Sequence, residues 1–214
     1  MTISDQQLAL NKELHQVNPS FGNRNQASGM AAQLPLALHR MHELGLCSSV
    51  LDYGTGKGLL VERLRSELPE DMSVDGYDPA VEQWSTKPKS AYDILLCLDV
   101  LEHDEVNTIN SVIAEIRSMT RHFCYIVIDL QPAVKKLSNG GNAHVLLAPV
   151  DWWVSRFSQT FACLTTFTLM HENGWQQKLV IAASHDPKCL TYVNNFLNKL
   201  NVYDLCFKGG ITKK

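Results

Sequence analysis

The chain has 214 residues, 45% hydrophobic and 19% charged, with 19 Lys and Arg against 22 Asp and Glu for a formal net charge of −3. This composition excludes a disordered or fibrous chain. It also argues against a dedicated nucleic-acid binder, which normally carries a basic face. The six cysteines (Cys47, Cys97, Cys124, Cys163, Cys189 and Cys206) are scattered, with no CxxC pair and no Cys/His cluster. A reduced, cytoplasmic protein without a metal site is therefore expected. No apolar stretch approaches the ~20 residues that span a bilayer, so no membrane insertion is expected. The first residues lack the basic start and apolar run of a signal peptide.

In chain order, residues 31–44 have helical spacing of Leu34, Leu38 and Met41, with Gly45 after them. A short strand follows at 49–53, then the turn Gly54-Thr-Gly-Lys-Gly58 and a helix over 59–68, stopped by Pro69. A second strand, 73–77, ends in Asp78-Pro79. After a weak segment containing Trp84, the apolar run 92–98 predicts a buried strand ending at Asp99. Residues 104–119 predict a helix whose stripe includes Val106, Ile109, Val112, Ile113, Ile116 and Met119. The run 123–128 is again continuously apolar, as in a parallel sheet covered on both faces. A helix over 151–157 carries Trp152 and Trp153. Two strands, 161–169 and 176–183, are then separated only by a short link containing Asn173-Gly174, a strong hairpin signal. Residues 188–200, with Leu190, Val193, Phe196, Leu197 and Leu200 in register, predict a last amphipathic helix. Its apolar face either docks on the domain or supports a homodimer. Strands alternating with helices imply an α/β, doubly wound, mostly parallel sheet that closes with an antiparallel hairpin.

The segment 50–60 stops a strand, turns the chain on three glycines and starts a helix. Glycines there permit tight backbone conformations and close approach of a ligand, at the strand end where open α/β sheets bind ligands. The spacing is GxGxG; the third position of a GxGxxG fingerprint is Leu59, and GxxxxGK[ST] does not fit. Asp78, 20 residues after Gly58, stands where a carboxylate can accept both ribose hydroxyls of a nucleoside, although a turn aspartate before proline needs no ligand. Asp99 closes a third strand. Carboxylates at successive strand ends suit a nucleoside bearing a positive charge better than a pyrophosphate, which favours helix N-termini.

With these residues on view, the chain resembles the class I S-adenosylmethionine-dependent methyltransferases. The matching segments are VLDYGTGKG (50–58), VDGYDPA (74–80), YDILLCLDVLEH (92–103) and the terminal hairpin. The resemblance covers residues 30–183 and is nearest the small-molecule and quinone-type branch, in which a D/E-x-L-E-H strand ending is common. It implies a seven-stranded-type sheet, although residues 80–91 leave little room for the usual helix and third strand. By the same resemblance Asp52, Gly54, Thr55 and Gly56 surround the methionine portion of S-adenosylmethionine, Asp78 holds the ribose, and Leu98 and Asp99 line the methyl-bearing side. Trp84 and Ser85 are the candidates for adenine cover. The implied organisation is an N-terminal helical or lid segment (1–27), a cofactor-binding domain (28–184) and a C-terminal helix and tail (185–214).

Methyl transfer from a sulfonium is an in-line displacement, so alignment is the main demand on the enzyme. A base is needed only where the acceptor atom is protonated. His103 is the candidate base, with Glu102 to orient it. The bland reading has Glu102 and Asp104 stabilising the next helix N-terminus and His103 on the surface. Asn142, His144 and Trp152 lie in or beside the following loop and are candidate acceptor contacts; the tryptophans equally serve as helix anchors. The resemblance also bears on the acceptor: methyltransferase families that modify exocyclic base nitrogens carry an Asn/Asp-Pro-Pro-aromatic sequence at this strand end and those that modify cytosine C5 a Cys after Pro, whereas here the strand ends Leu98-Asp99-Val100-Leu101 and Cys97 follows Leu96. Both absences disfavour DNA as acceptor and leave a small molecule, lipid or sugar. Two other classes fit parts of the pattern: a non-catalytic binding protein on the same fold, and a nicotinamide-dependent oxidoreductase.

Overall fold

The computed structural model describes residues 3–23, 31–171 and 173–200, with the side chain of Leu190 outside that description. Expectations for residues 1–2, 24–30 and the tail from 201 onward, Cys206 included, therefore lie outside the described residues. Six strands form one sheet: β1 (Ser49–Tyr53), β2 (Ser73–Tyr77), β3 (Tyr92–Leu98), β4 (Thr120–Asp129), β5 (Cys163–Met170) and β6 (Gln176–Ser184), in the order β2-β1-β3-β4-β6-β5. The first four pair in parallel, whereas β6 runs antiparallel to both β4 and β5. Around them lie α1 (Asp5–Val17), α2 (Leu34–Glu43), α3 (Leu59–Glu67), α4 (Ile109–Ser118), α5 (Val150–Ser158) and α6 (Leu190–Lys199).

The apolar strands read as continuous runs because both faces are covered. Along β3, Ile94, Leu96 and Leu98 join the core beneath α2, α3 and α6, while Leu95 and Cys97 join the one beneath α4 and α5. The same alternation sorts Phe123, Tyr125 and Val127 of β4 from Cys124, Ile126 and Ile128. This two-sided burial at ~25 cal/mol per Å² is the main favourable term holding the layers together. The apolar face of α6 is used within the chain: Phe196 meets Phe123 and Tyr125 edge-on, with ring centroids 5.1 and 5.4 Å apart.

The outer edge of the sheet is reduced, as the short 80–91 segment implied, whereas the start of one helix is corrected. Among the described residues the sheet has six strands, and β2 is its edge. The twelve residues 80–91 are about what one crossover alone requires, and they form only a short 3-10 turn at Glu82–Trp84 followed by irregular chain. The exposed edge is managed by side chains instead: Arg65 Nε donates to the Val74 carbonyl at 2.8 Å, and Tyr92 OH donates to Asp75 at 2.9 Å. Trp84 lies against Gly58 and Gly76, where any Cβ would strike it. The correction concerns α4, which starts at Ile109 rather than at Asp104. Leu101–His103 is a separate 3-10 turn and Asp104 is extended, so Val106 is 62% exposed and outside the stripe. That extra turn points Glu102, His103 and Asp104 inward instead of along the helix start.

Candidate functional site

The site is a cleft of about 610 Å³ at the carboxyl ends of β1, β2 and β3, within the range of small-molecule pockets. Its floor is the glycine turn. Gly54 and Gly56 have φ of +72° and +58°, the left-handed region that costs other residues strain. Packing adds a second constraint: a Cβ on Gly56 would lie 2.5 Å from the Gly22 carbonyl oxygen, and one on Gly54 would strike Val100. Asp78 closes this end. Its Oδ2 accepts from Gly56 N at 2.9 Å and its Oδ1 from Ala80 N at 2.9 Å, so the carboxylate is fixed by backbone and still lines the cleft.

At the middle of the cleft, Leu98 and Asp99 end β3. Asp99 is the one non-glycine residue with positive φ (50°) among the described residues, a strained conformation of the kind that collects at functional sites. Lys178, reaching across from β6, donates to Asp99 Oδ1 at 2.6 Å and to Asp129 Oδ2 at 3.2 Å. Burial alone would lower its pKa, but these carboxylates outweigh burial and hold it above the usual lysine value.

The far end carries two histidines. His103 Nδ1 donates to the Ala143 carbonyl at 2.7 Å and His144 Nδ1 to the Gln131 carbonyl at 2.5 Å, so Nε2 is the nitrogen of each ring outside these backbone bonds. Burial pushes His103 down to about 4, against the pull of the Ala143 carbonyl and with His144 beside it adding to the effect. His103 is therefore a neutral imidazole near pH 7. Behind the histidines, Glu102 is fully buried, and its Oε1 accepts from Asp129 N at 3.1 Å. Burial, with Asp99 nearby, pushes its carboxyl well above the usual range. Asp104, at the cleft wall, rises to about 8 through burial and the neighbouring Asp78, Glu105 and Glu115.

A strap from the N-terminal segment roofs the cleft. His15, Phe21 and Gly22 line it, and Phe21 meets His103 edge-on at 5.2 Å. Lys57 ties the strap to the glycine turn, its Nζ donating to Pro19 O at 2.6 Å and its backbone N to Gly22 O at 3.1 Å. Lys135 Nζ donates to Ser20 O at 3.1 Å from the other side.

The structure thus brings Gly54, Gly56, Asp78, Leu98, Asp99, His103 and His144 to one cavity. Asp52 and Thr55 are buried beneath it and do not line it. Asn142 lies outside the lining and holds the loop: its Oδ1 accepts from Ala133 N and His144 N, each at 2.9 Å, and its Nδ2 donates to Ala133 O at 2.8 Å. Trp152 is also outside, on α5, edge-on to Trp153 with the Arg156 guanidinium 4.6 Å over its ring. Trp84 and Ser85 do not line the cleft either; Pro79, Ala80, Asp104 and Val112 do. Glu102 makes no hydrogen bond to His103, whose orientation comes from the Ala143 carbonyl. Sequence reasoning missed Lys178 and His15, because each reaches the cleft from an element distant in the chain.

No protein-family model and no curated protein matches the sequence. Solved structures do match its shape. A Burkholderia thailandensis 1,6-didemethyltoxoflavin-N1-methyltransferase with bound 1,6-didemethyltoxoflavin and S-adenosylhomocysteine is 14% identical with a TM-score of 0.54, over 83% of this chain and 88% of that one. DhpI in complex with S-adenosylhomocysteine gives 13% and 0.56, over 86% and 99%. Magnesium protoporphyrin IX methyltransferase from Synechocystis PCC 6803 with bound S-adenosylhomocysteine gives 11% and 0.55, over 83% and 99%. The fold of this chain is that of the class I S-adenosylmethionine-dependent methyltransferases, carried on six strands.

Proposed function

We propose that the protein transfers the methyl group of S-adenosylmethionine to a small-molecule acceptor. The carrying observation is that the glycine turn, Asp78 and Asp99 line the same cleft as the two histidines, giving it a nucleoside end and an acceptor end. The residues present fit the cofactor. Gly54 and Gly56 expose backbone where a side chain would intrude, Asp78 retains acceptor lone pairs for ribose hydroxyls, and Asp99 places negative charge at the strand end where a sulfonium gains from it. The solved neighbours with S-adenosylhomocysteine and, in one case, a small heterocyclic substrate support this reading.

When bound, S-adenosylmethionine supplies an electrophilic methyl group. The chain's own residues do the rest. The glycine turn and Asp78 fix the nucleoside end, with Asp52 and Thr55 shaping the turn from below. Pro79, Ala80 and Val112 offer apolar cover to the adenine. Leu98 and Asp99 position the reacting centre. His103 presents an unprotonated Nε2 to the acceptor, which suits an acceptor carrying an O–H or N–H group, and Asn142 holds the loop that sets His144 beside it. The strap of residues 18–23 acts as a lid that excludes water.

Isothermal titration with S-adenosylmethionine tests the reading directly. Binding on the order of 1–100 μM is expected, weakened at least ~10-fold, about 1.4 kcal/mol, in Asp78→Ala. Absence of binding, or tighter binding of NADH, overturns it. Binding of the cofactor without labelled methyl transfer to any acceptor in a metabolite extract would instead favour a non-catalytic binding protein.

A further inference from the structure

We infer that Glu102, His103 and His144 form a site for one divalent transition-metal ion at the acceptor end of the cleft. Each residue offers one ligand atom, and the three atoms all lie within 4.8 Å of one another. Two observations point to a cation. First, both imidazoles spend Nδ1–H on backbone carbonyls, of Ala143 and Gln131; this outer hydrogen bond is what orients metal-binding histidines and leaves Nε2 to ligate. Second, Glu102 is 0% exposed and its Oε2 has no hydrogen-bond partner, although an uncovered buried carboxylate oxygen costs on the order of 1–3 kcal/mol or more.

The cluster therefore sets three lone-pair atoms near one another. Imidazole nitrogens with a carboxylate oxygen, and no thiolate, suit Zn²⁺, Co²⁺, Mn²⁺ or Fe²⁺. Ligands at ~2.0–2.2 Å from an ion stand about 3.4 Å apart in a tetrahedral site, so side-chain rotations that close the cluster by up to about 1.4 Å bring all three atoms to one ion. The surrounding charge favours this: among the described residues Asp99, Asp129 and Glu102 share only Lys178 as a nearby ammonium. No local pattern marks the site, since His144 lies 41 residues from His103 and neither belongs to a CxxC or HxxxH pattern.

The site gives the acceptor end a chemical preference, and this consequence rests on the methyltransferase reading above. Three protein ligands leave open positions where an acceptor hydroxyl can bind. Its coordinated O–H loses a proton to solvent, as metal-bound water does. The oxygen lone pair then forms the O–C bond as the methyl C–S bond breaks, with that electron pair staying on sulfur.

The test uses tag-free, chelator-treated full-length protein, titrated with Co²⁺ and Zn²⁺ by calorimetry and followed for the visible absorption of bound Co²⁺. One equivalent per chain with Kd of about 1 μM or below is expected, together with a rise in Tm. Glu102→Gln and His144→Ala should each weaken binding at least 10-fold while circular dichroism and S-adenosylmethionine affinity are retained. His39→Ala, on an exposed helix face, should leave it unchanged. No stoichiometric binding to the wild-type protein, or binding unaltered in both variants, overturns the metal site. Metal binding and S-adenosylmethionine binding are read separately, so metal without cofactor sinks only the methyltransferase reading, and cofactor without metal sinks only this inference.

Discussion

The two ends of the cleft are built by different means. At the end proposed for the nucleoside, backbone does the positioning: positive-φ glycines, the Asp78 carboxylate held by Gly56 and Ala80 amides, and the ordered β1/β2 register. At the acceptor end, side chains from β3, β6 and the 131–146 loop meet across long sequence distances, joined by His103 to Ala143, His144 to Gln131 and Lys178 to Asp99. Backbone-built geometry leaves a local mark in the sequence, because only certain residues tolerate it. Geometry built by side chains from distant segments leaves none.

The comparison can be broken by substitution at each end. The largest effect is expected at the nucleoside end for Gly56→Val: strain at positive φ of ~1–3 kcal/mol and collision with Gly22 should reduce cofactor affinity about 100-fold, measured by calorimetry. Asp93→Ala probes the opposite edge of the sheet, at the amino ends of β1 and β3. It removes a carboxylate that accepts from Ser48 N, Ser48 OH and Ser49 N and pairs with Arg121, with an expected loss of ~2–3 kcal/mol in denaturant unfolding.

At the acceptor end, Asn142→Ala removes three loop hydrogen bonds and should cost ~1–2 kcal/mol locally. If the two ends are independent, it lowers methyl transfer about 10-fold while leaving S-adenosylmethionine affinity within about twofold. A tenfold fall in cofactor affinity would show that the ends are coupled. Trp152→Phe, outside the cleft lining, should change both cofactor affinity and turnover least, by less than about twofold.

Asp93 also gives the comparison a pH signature. Burial would raise its pKa, but the hydrogen bonds from Ser48 and the Arg121 guanidinium outweigh burial and hold it below the usual aspartate value. Its contribution is therefore present above the unfolded aspartate pKa of ~3.9 and lost as pH falls through the lower folded value. The stability gap between wild type and Asp93→Asn should be constant from pH 5 to 7 and should close on acidification below about 4. A gap that widens in acid would contradict the assignment.

Strands β1, β2 and β3 were legible to the residue, since their bounds coincide with the apolar runs and the turn residues after them. The hairpin was legible from Asn173-Gly174, and the glycine turn and Asp78 from spacing alone. The start of α4 was not. Residues 104–108 satisfy helical spacing, yet the chain makes a 3-10 turn at Leu101–His103, because burying Glu102 and Asp104 against the sheet ends displaces the first helical turn.

The tryptophans mislead in the same way. Trp152 and Trp153 sit beside a functional loop in sequence, but α5 turns them onto the sheet, where Trp153 is fully buried. His144 and Trp152 were equivalent candidates from sequence, and only the fold separates them.

The sequence by itself therefore determined the layered α/β sheet, the hairpin and the nucleoside end, because periodicity, turn residues and glycine conformations act over a few residues. Tertiary structure alone decided the Lys178 bridge and the Glu102–His103–His144 cluster. Each depends on which distant segments share a surface, and that is fixed by the packing of the whole sheet rather than by any local pattern.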